Sequence, residues 1–291
     1  MLPHWNQNTL TVDGIKIHYT RTGDGSKPPL VLAHGFSDNG LCWLPVARDL
    51  ERDYDIILPD ARAHGLSARV QPGEQMDHPG DLLKLIQALE LNHPIVGGHS
   101  MGANTAAQLG ARYPEVPSAL VLEDPPWFQP TAPKPVKKEE EPPARENPFL
   151  AWISGLQGKT VEEVIESGRA NNPNWPEVEW LPWGESKLQL DTNIFKTERM
   201  WDTFENWHTV VRALRAPTLL ITAVHKRGAI VTRAAAQQAE ELSPYIRTVY
   251  IRGAGHSIRR ENYRAYMNEV RGFLDSLRTA KAEDNHPILG S

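Results

Sequence analysis

The stretch Pro94-Ile95-Val96-Gly97-Gly98-His99-Ser100-Met101-Gly102-Ala103-Asn104 constrains this chain more than any other. An apolar run ends in Gly98-His99-Ser100-Met101-Gly102, and a helix-like run from Ala103 to Tyr113 follows at once. That order predicts a strand, a sharp turn and a helix, with Ser100 at the apex. Glycines two residues to either side of the serine leave room for a strained turn, where side chains would collide with the adjoining strand and helix. A serine so placed stands at the C-terminal edge of a sheet. The helix behind it aims backbone N–H groups and its positive dipole end at negative charge developing there. Ser100 is therefore a candidate nucleophile. The plainer reading is a glycine-rich turn whose serine has no chemical role.

The rest of the chain supplies a sheet for that turn. Thr9 to Val12 and Ile15 to Arg21 alternate apolar and polar around Asp13-Gly14, a hairpin signal. Pro29 to Ala33 and Asp55 to Asp60 are continuous apolar runs, as strands buried on both faces should be. A helix from about Leu41 to Leu50 separates them, and Asp81 to Leu89 has helical spacing with Leu82, Leu85, Ile86 and Leu89 on one face. After the serine turn come strands at Ser118 to Glu123, Pro217 to Thr222 and Arg247 to Ile251. Helices are expected near Arg233 to Leu242 and from Asn262 to Leu277. Strands alternating with helices imply a parallel sheet with right-handed crossovers, the α/β class.

The rhythm breaks from about Trp127 to Val210. Pro130 to Pro148 carries six prolines around the charge run Lys137-Lys138-Glu139-Glu140-Glu141, which reads as a solvated, mobile loop. Short helical patterns follow near Pro148 to Leu156, Val161 to Ala170 and Glu198 to Leu214. Seven of the nine tryptophans fall in this segment: Trp127, Trp152, Trp175, Trp180, Trp183, Trp201 and Trp207. A segment inserted at the active edge would form a lid. About half of those rings are expected to build its own small core and the rest to face an apolar pocket. Trp127, Trp152, Trp183 and Trp207 are the candidate substrate-binding residues. The expected division is 1–126 and 211–280 for the core domain, 127–210 for the helical cap, and 281–291 for a disordered tail.

Composition narrows the partners. A net charge of −5 gives no reason to expect nucleic acid. Cys42 is the one cysteine, which excludes an internal disulfide and a cysteine-based metal site. No metal and no cofactor are expected. The start lacks a basic patch followed by an apolar core, and no apolar run approaches the ~20 residues of a membrane span. The expectation is a soluble cytoplasmic protein, a monomer or homodimer.

His34-Gly35-Phe36, Asp60-x-Arg62-x-His64-Gly65-x-Ser67, Gly98-His99-Ser100-Met101-Gly102 and Gly253-Ala254-Gly255-His256 stand in the order and context of the α/β-hydrolase family. The resemblance covers about residues 9 to 277, with the cap segment least typical. It implies a mostly parallel eight-stranded sheet flanked by helices, with a helical cap (lid) insertion. A serine hydroxyl needs a base to take its proton. His256 is the candidate, because it follows the last strand in a glycine-flanked loop that faces the serine turn in this fold. The family pattern supplies the oxyanion hole from the backbone N–H groups of Phe36 and Met101. His99 reads as structural, His34 as shaping the oxyanion loop, and Asp60, Arg62 and His64 as bracing the loop beside the site.

The acid departs from the commonest family pattern. After Pro217 to Thr222 the loop reads Ala223-Val224-His225-Lys226-Arg227-Gly228-Ala229-Ile230-Val231, with no carboxylate, and Val224 sits where an aspartate is expected. Either the triad is dead or altered, or the acid comes from elsewhere. The previous strand ends in Glu123-Asp124, and some family members, certain lactonases among them, place their acid there. Asp124 is favoured over Glu123, which still belongs to the strand. Against this stands an Asp124 that merely caps a turn. The reading that results is a carboxylesterase or lactonase acting through an acyl-enzyme on a small apolar or aromatic ester or lactone. A carbon–carbon bond hydrolase of the same scaffold and a catalytically silent ligand-binding protein remain as alternatives. A haloalkane dehalogenase or epoxide hydrolase is disfavoured, since those relatives carry a carboxylate where Ser100 stands.

Overall fold

The structure, a computed structural model, describes residues 5–128, 148–197 and 207–284. Eight strands form one sheet: β1 (Asn6–Val12), β2 (Ile15–Arg21), β3 (Pro29–Ala33), β4 (Asp55–Pro59), β5 (Ile95–His99), β6 (Ala119–Glu123), β7 (Thr218–Thr222) and β8 (Ile246–Tyr250). Their spatial order is β1-β2-β4-β3-β5-β6-β7-β8. The Asp13-Gly14 hairpin joins β1 to β2, with φ of 49° and 80° at its two residues, and β2 also runs antiparallel to β4. Every later pairing is parallel. Strands β4, β5, β6 and β7 are buried along their whole length, which is why they read as unbroken apolar runs.

Helices cover both faces. On one, α2 (His78–Ala88), α3 (Met101–Arg112) and α8 (Arg233–Leu242) press Leu82, Leu85, Ile86, Ala103, Ala106, Ala107, Leu109, Ala235 and Ala239 against Val31, Val96, Leu120 and Leu220. On the other, α1 (Leu44–Leu50) and α10 (Tyr263–Asp284) bring Val46, Ala47, Leu50, Tyr266, Val270 and Phe273 onto Leu30, Leu32, Ile56, Leu58 and Leu219. Helix α10 runs to Asp284, past residue 281, where the tail was expected to begin; residues 285–291 lie outside the described residues.

Between β6 and β7 lie α4 (Pro148–Ser154), α5 (Val161–Asn171), α6 (Trp180–Gln189) and α7 (Trp207–Ala213). Helix α5 opens with a capping box in which Thr160 and Glu163 each satisfy the other's backbone N–H. Ile153, Leu156, Val164, Trp180, Trp183 and Ile194 form a separate cluster that includes Ala63, Val70 and Met76 of the β4–α2 connection. Helix α6 has no counterpart in the sequence reading. Its buried side mixes Trp180, Pro182 and Trp183 with Gly184, Ser186 and Lys187, while Leu181 is exposed, so no single apolar face marks it. Helix α7 belongs to the main core through Trp207 and Val211, and the boundary expected at 210 falls inside it. The loop 130–147 and Trp201 lie outside the described residues.

The turn at Ser100 depends on its flanking glycines. A Cβ on Gly98 would stand 2.3 Å from the backbone of Gly102, and one on Gly102 would stand 2.2 Å from the Ala33 carbonyl oxygen. Both obstacles are main chain, which does not give way cheaply. Gly98→Ala is therefore expected to lower unfolding free energy by about 2–3 kcal/mol or more, measured by urea melts. A variant as stable as the parent would show that the turn has slack.

Candidate active site

Ser100 sits between β5 and α3 at φ 51° and ψ −115°, a region that non-glycine residues rarely occupy. Its N–H donates to the Glu123 carbonyl oxygen at 2.9 Å, and its own carbonyl accepts from Asn104 N–H at 3.0 Å. The serine is thus pinned between the end of β6 and the first turn of α3. It is half-buried.

Asp124 is the residue just past β6, also in left-handed backbone at φ 43°, which aspartate tolerates better than most. Its side chain is fully buried. The His256 Nδ1–H donates to Asp124 Oδ2 at 2.6 Å. Two backbone amides complete the shell: Ile230 N–H donates to Oδ2 at 2.8 Å and Val231 N–H to Oδ1 at 2.9 Å. Those amides come from the loop after β7 in which no carboxylate was found. Val224 N–H in the same loop donates to the Ala254 carbonyl at 3.0 Å, so the loop is joined to the one that carries His256.

Glu123 faces elsewhere. Its carboxylate accepts from Arg259 N–H at 2.9 Å and from the Arg259 guanidinium at 3.0 Å, with both side chains fully buried. His99 packs against His256, ring centroids 4.7 Å apart, and its Nε2–H donates to the His256 carbonyl at 3.0 Å. The residue before the serine therefore holds the main chain of the candidate base.

The loop after β3 is held from several sides. His34 Nδ1–H donates to the Gly35 carbonyl at 2.8 Å, and His34 Nε2 accepts from Ala61 N–H at 3.0 Å, which fixes the tautomer. Asp60 accepts from Gly40 N–H at 2.7 Å, from Leu66 N–H at 2.8 Å and from His18 Nδ1 at 2.8 Å. Arg62 pairs with Asp81 and Glu74, and His64 Nδ1–H donates to the Arg62 carbonyl at 2.9 Å. Ser37 stands at φ 64°.

This sheet order, with a serine turn after its fifth strand and a histidine loop after its eighth, has known relatives. The sequence pattern of the alpha/beta hydrolase family matches residues 30–269. The chain belongs to the α/β-hydrolase family. It is 27% identical to the N-formylmaleamate deformylase of Pseudomonas putida over 280 residues, 91% of this chain and 95% of that protein. It is 24% identical to the 2-(acetamidomethylene)succinate hydrolase of Mesorhizobium japonicum over 283 residues, 94% and 96% respectively. The crystal structure of an N-formylmaleamic acid deformylase from Pseudomonas putida S16 superposes with a TM-score of 0.71 at 24% identity, covering 91% of this chain and all of that one.

Within this α/β-hydrolase, an aromatic wall rises over the Phe36 loop. The Phe36 ring lies 5.3 Å from Phe149, 5.6 Å from Phe195 and 5.5 Å from His64. Phe149 meets Trp152 at 5.1 Å, and Trp152 meets Trp183 at 6.4 Å. A cavity of about 340 Å³ is lined by Trp152, Trp175, Trp183, Asn171, Asn172 and Ser257, the last adjoining His256. Trp152 and Trp183 thus share one surface. Trp127 and Trp207 do not join them. They stack on each other at 5.4 Å, 0% and 1% exposed, inside the main core, and the Trp207 indole N–H donates to the Phe128 carbonyl. Position in the segment suggested a pocket for these two, but β6 and α7 carry them into the sheet's own packing.

Among the described residues no group of three or more His, Cys, Asp or Glu side chains could hold a metal, and no helix is long and apolar enough to cross a membrane. The sequence reading passed over the partners of the loops: Ile230 and Val231 for Asp124, and Lys187, Arg259 and Arg260 around Asp38. The run of Arg259-Arg260 so soon after His256 was the available signal.

Burial holds His34 below the ordinary histidine range, His64 and His99 well below it, and lowers His78 to about 4. In the unfolded chain these rings take up protons near pH 6.5, whereas the folded chain resists them. Their contribution to stability is complete above about pH 6.5 and is lost as pH falls below it. Thermal melts at pH 7.5 and 5.5, a window above the ordinary carboxylate range, are expected to show a Tm lower by several degrees at pH 5.5. An unchanged Tm would mean that these histidines are not held neutral.

Proposed function

We propose that this chain is a serine hydrolase that cleaves a carboxylic ester or lactone with an apolar or aromatic body. The observation that carries the reading is the buried Asp124 carboxylate, 2.6 Å from His256 Nδ1 and braced by the Ile230 and Val231 amides, beside the strained turn of Ser100. With Nδ1 committed to Asp124 as a donor, His256 Nε2 is the lone-pair nitrogen and acts as the base. Ser100 Oγ attacks the acyl carbon as its proton passes to Nε2. The N–H groups of Phe36 and Met101 receive the oxyanion, and Asp124 stabilises the imidazolium without taking its proton. His256 then protonates the leaving group, the acyl-enzyme forms, and water activated by the same nitrogen releases the acid and restores Ser100.

In this reading 127–210 forms a cap over a core of 1–126 and 211–280. The substrate body lies along the surface of Phe149, Trp152 and Trp183, whose rings suit a flat apolar group. A second reading keeps the residues and changes the bond to an N-acyl linkage. It is favoured by the two relatives matched along 95% and 96% of their length, named as an N-formylmaleamate deformylase and a 2-(acetamidomethylene)succinate hydrolase.

A panel of aryl esters, lactones, N-formyl and N-acetyl compounds separates the two; turnover confined to the N-acyl members would replace the first reading by the second. Ser100→Ala should lower kcat by ~10⁴-fold or more in folded protein. Near-normal turnover would remove the serine from the mechanism. Asp124→Asn is expected to cost on the order of 10⁴ in kcat, because the amide would favour the wrong tautomer of His256. A fluorophosphonate should label the parent and spare Ser100→Ala. Failure to label would favour a silent binding protein.

A further inference from the structure

Beneath the Phe36 loop lies a cluster of buried charges that the reaction does not use. Lys187, Arg259 and Arg260 meet Asp38, Glu123 and Glu179, and every one of these side chains is at most 5% exposed. Arg260 bridges Asp38 and Glu179 at 3.0 Å each. Arg259 bonds Glu123 and approaches Asp38 at 3.7 Å. Opposite charges balance residue for residue, so the cluster bears burial as a set.

Lys187 is its member from α6. The three donors of its ammonium have three acceptors: Asp38 Oδ1 at 2.7 Å, the Ser37 carbonyl at 2.9 Å and Ser186 Oγ at 3.3 Å. With those donors engaged and the side chain 2% exposed, Lys187 serves neither as an acid nor as an anchor for substrate. Its targets are the informative part. Ser37 and Asp38 directly follow Phe36, and Ser37 is in left-handed backbone, a strained setting that persists only where the surroundings hold it. One residue on, Asn39 Nδ2–H donates to Gln189 Oε1 at 2.9 Å, a second tie to the same helix.

We propose that Lys187 is a positioning residue: by gripping Ser37 and Asp38 it fixes the loop that presents the Phe36 N–H, and so makes a competent oxyanion hole conditional on the docking of α6. The proposal rests on the hydrolase reading for its catalytic consequence, but the grip itself is a property of the fold. A donor that must sit within a few tenths of an ångström of a developing charge is lost by a small drift of its loop. It also follows that α6 is a fixed wall of the site rather than a moving lid, since lifting it would strip Asp38 and Glu179 of buried partners.

Hydrogen exchange on substrate-free parent protein tests the grip directly. The Asp38 amide, which donates to the Gly35 carbonyl at 3.1 Å, is expected to exchange with the slow class of α6; exchange there about 100-fold faster than in α6 would overturn the proposal without any variant. Lys187→Met should raise exchange at the Asp38 amide and slow both fluorophosphonate labelling and kcat by about 10–100-fold, with KM changed less than about threefold. Lys187→Arg, which keeps charge and donors, should recover part of the loss. Glu177→Gln, which removes an exposed ion pair ahead of α6, should change none of these readings. A folded Lys187→Met that labels and turns over like the parent would sink the idea. If the parent shows co-protection of loop and helix yet neither labels nor turns over any substrate, the hydrolase reading fails and the grip stands.

Discussion

One buried carboxylate joins three loops that are far apart in the chain. Asp124 takes hydrogen bonds from the histidine loop after β8 and from two amides of the loop after β7, while its neighbour Glu123 receives the Ser100 N–H. An ionised carboxylate with no water at hand must find such donors, because an unpartnered charge in the interior is prohibitively costly. Once it does, the loops are no longer independent. The placement of Asp124, of His256 and of the loop after β7 becomes a consequence of satisfying one buried group.

The loop after β7 shows how such a demand is met without a side chain. A carboxylate at Val224 would have supplied the acid from that loop. Here the loop contributes N–H groups instead, to a carboxylate at the end of the neighbouring parallel strand.

A second electrostatic unit lies below the first. Breaking a buried pair by deleting one partner typically costs about 3–5 kcal/mol, although replacing the whole set by apolar residues can be neutral. In some proteins such a set specifies position rather than adding stability. This one specifies where α6 sits against the Phe36 loop, and the aromatic wall of Phe149, Trp152 and Trp183 is built on that placement. Trp127 and Trp207 serve the opposite end of the segment, stacking where it leaves and rejoins the sheet.

By itself the sequence determined the succession of strands and helices, the turn at Ser100, and the candidates His256 and Asp124. Each is written in local signals: continuous apolar runs, glycines that a Cβ could not replace, a carboxylate at a strand end. The hairpin at Asp13-Gly14 and the core helices were legible for the same reason. Only the tertiary structure decided what Asp124 is bonded to, because backbone amides carry no side-chain identity to read. It also decided the existence of α6, whose buried side carries a glycine, a serine and a lysine while Leu181 faces outward, so the apolar periodicity that announces a surface helix is missing, and hence the grip of Lys187 on Ser37. Which tryptophans face the cavity was likewise a tertiary matter, since an indole looks the same in sequence whether it packs a core or lines a wall.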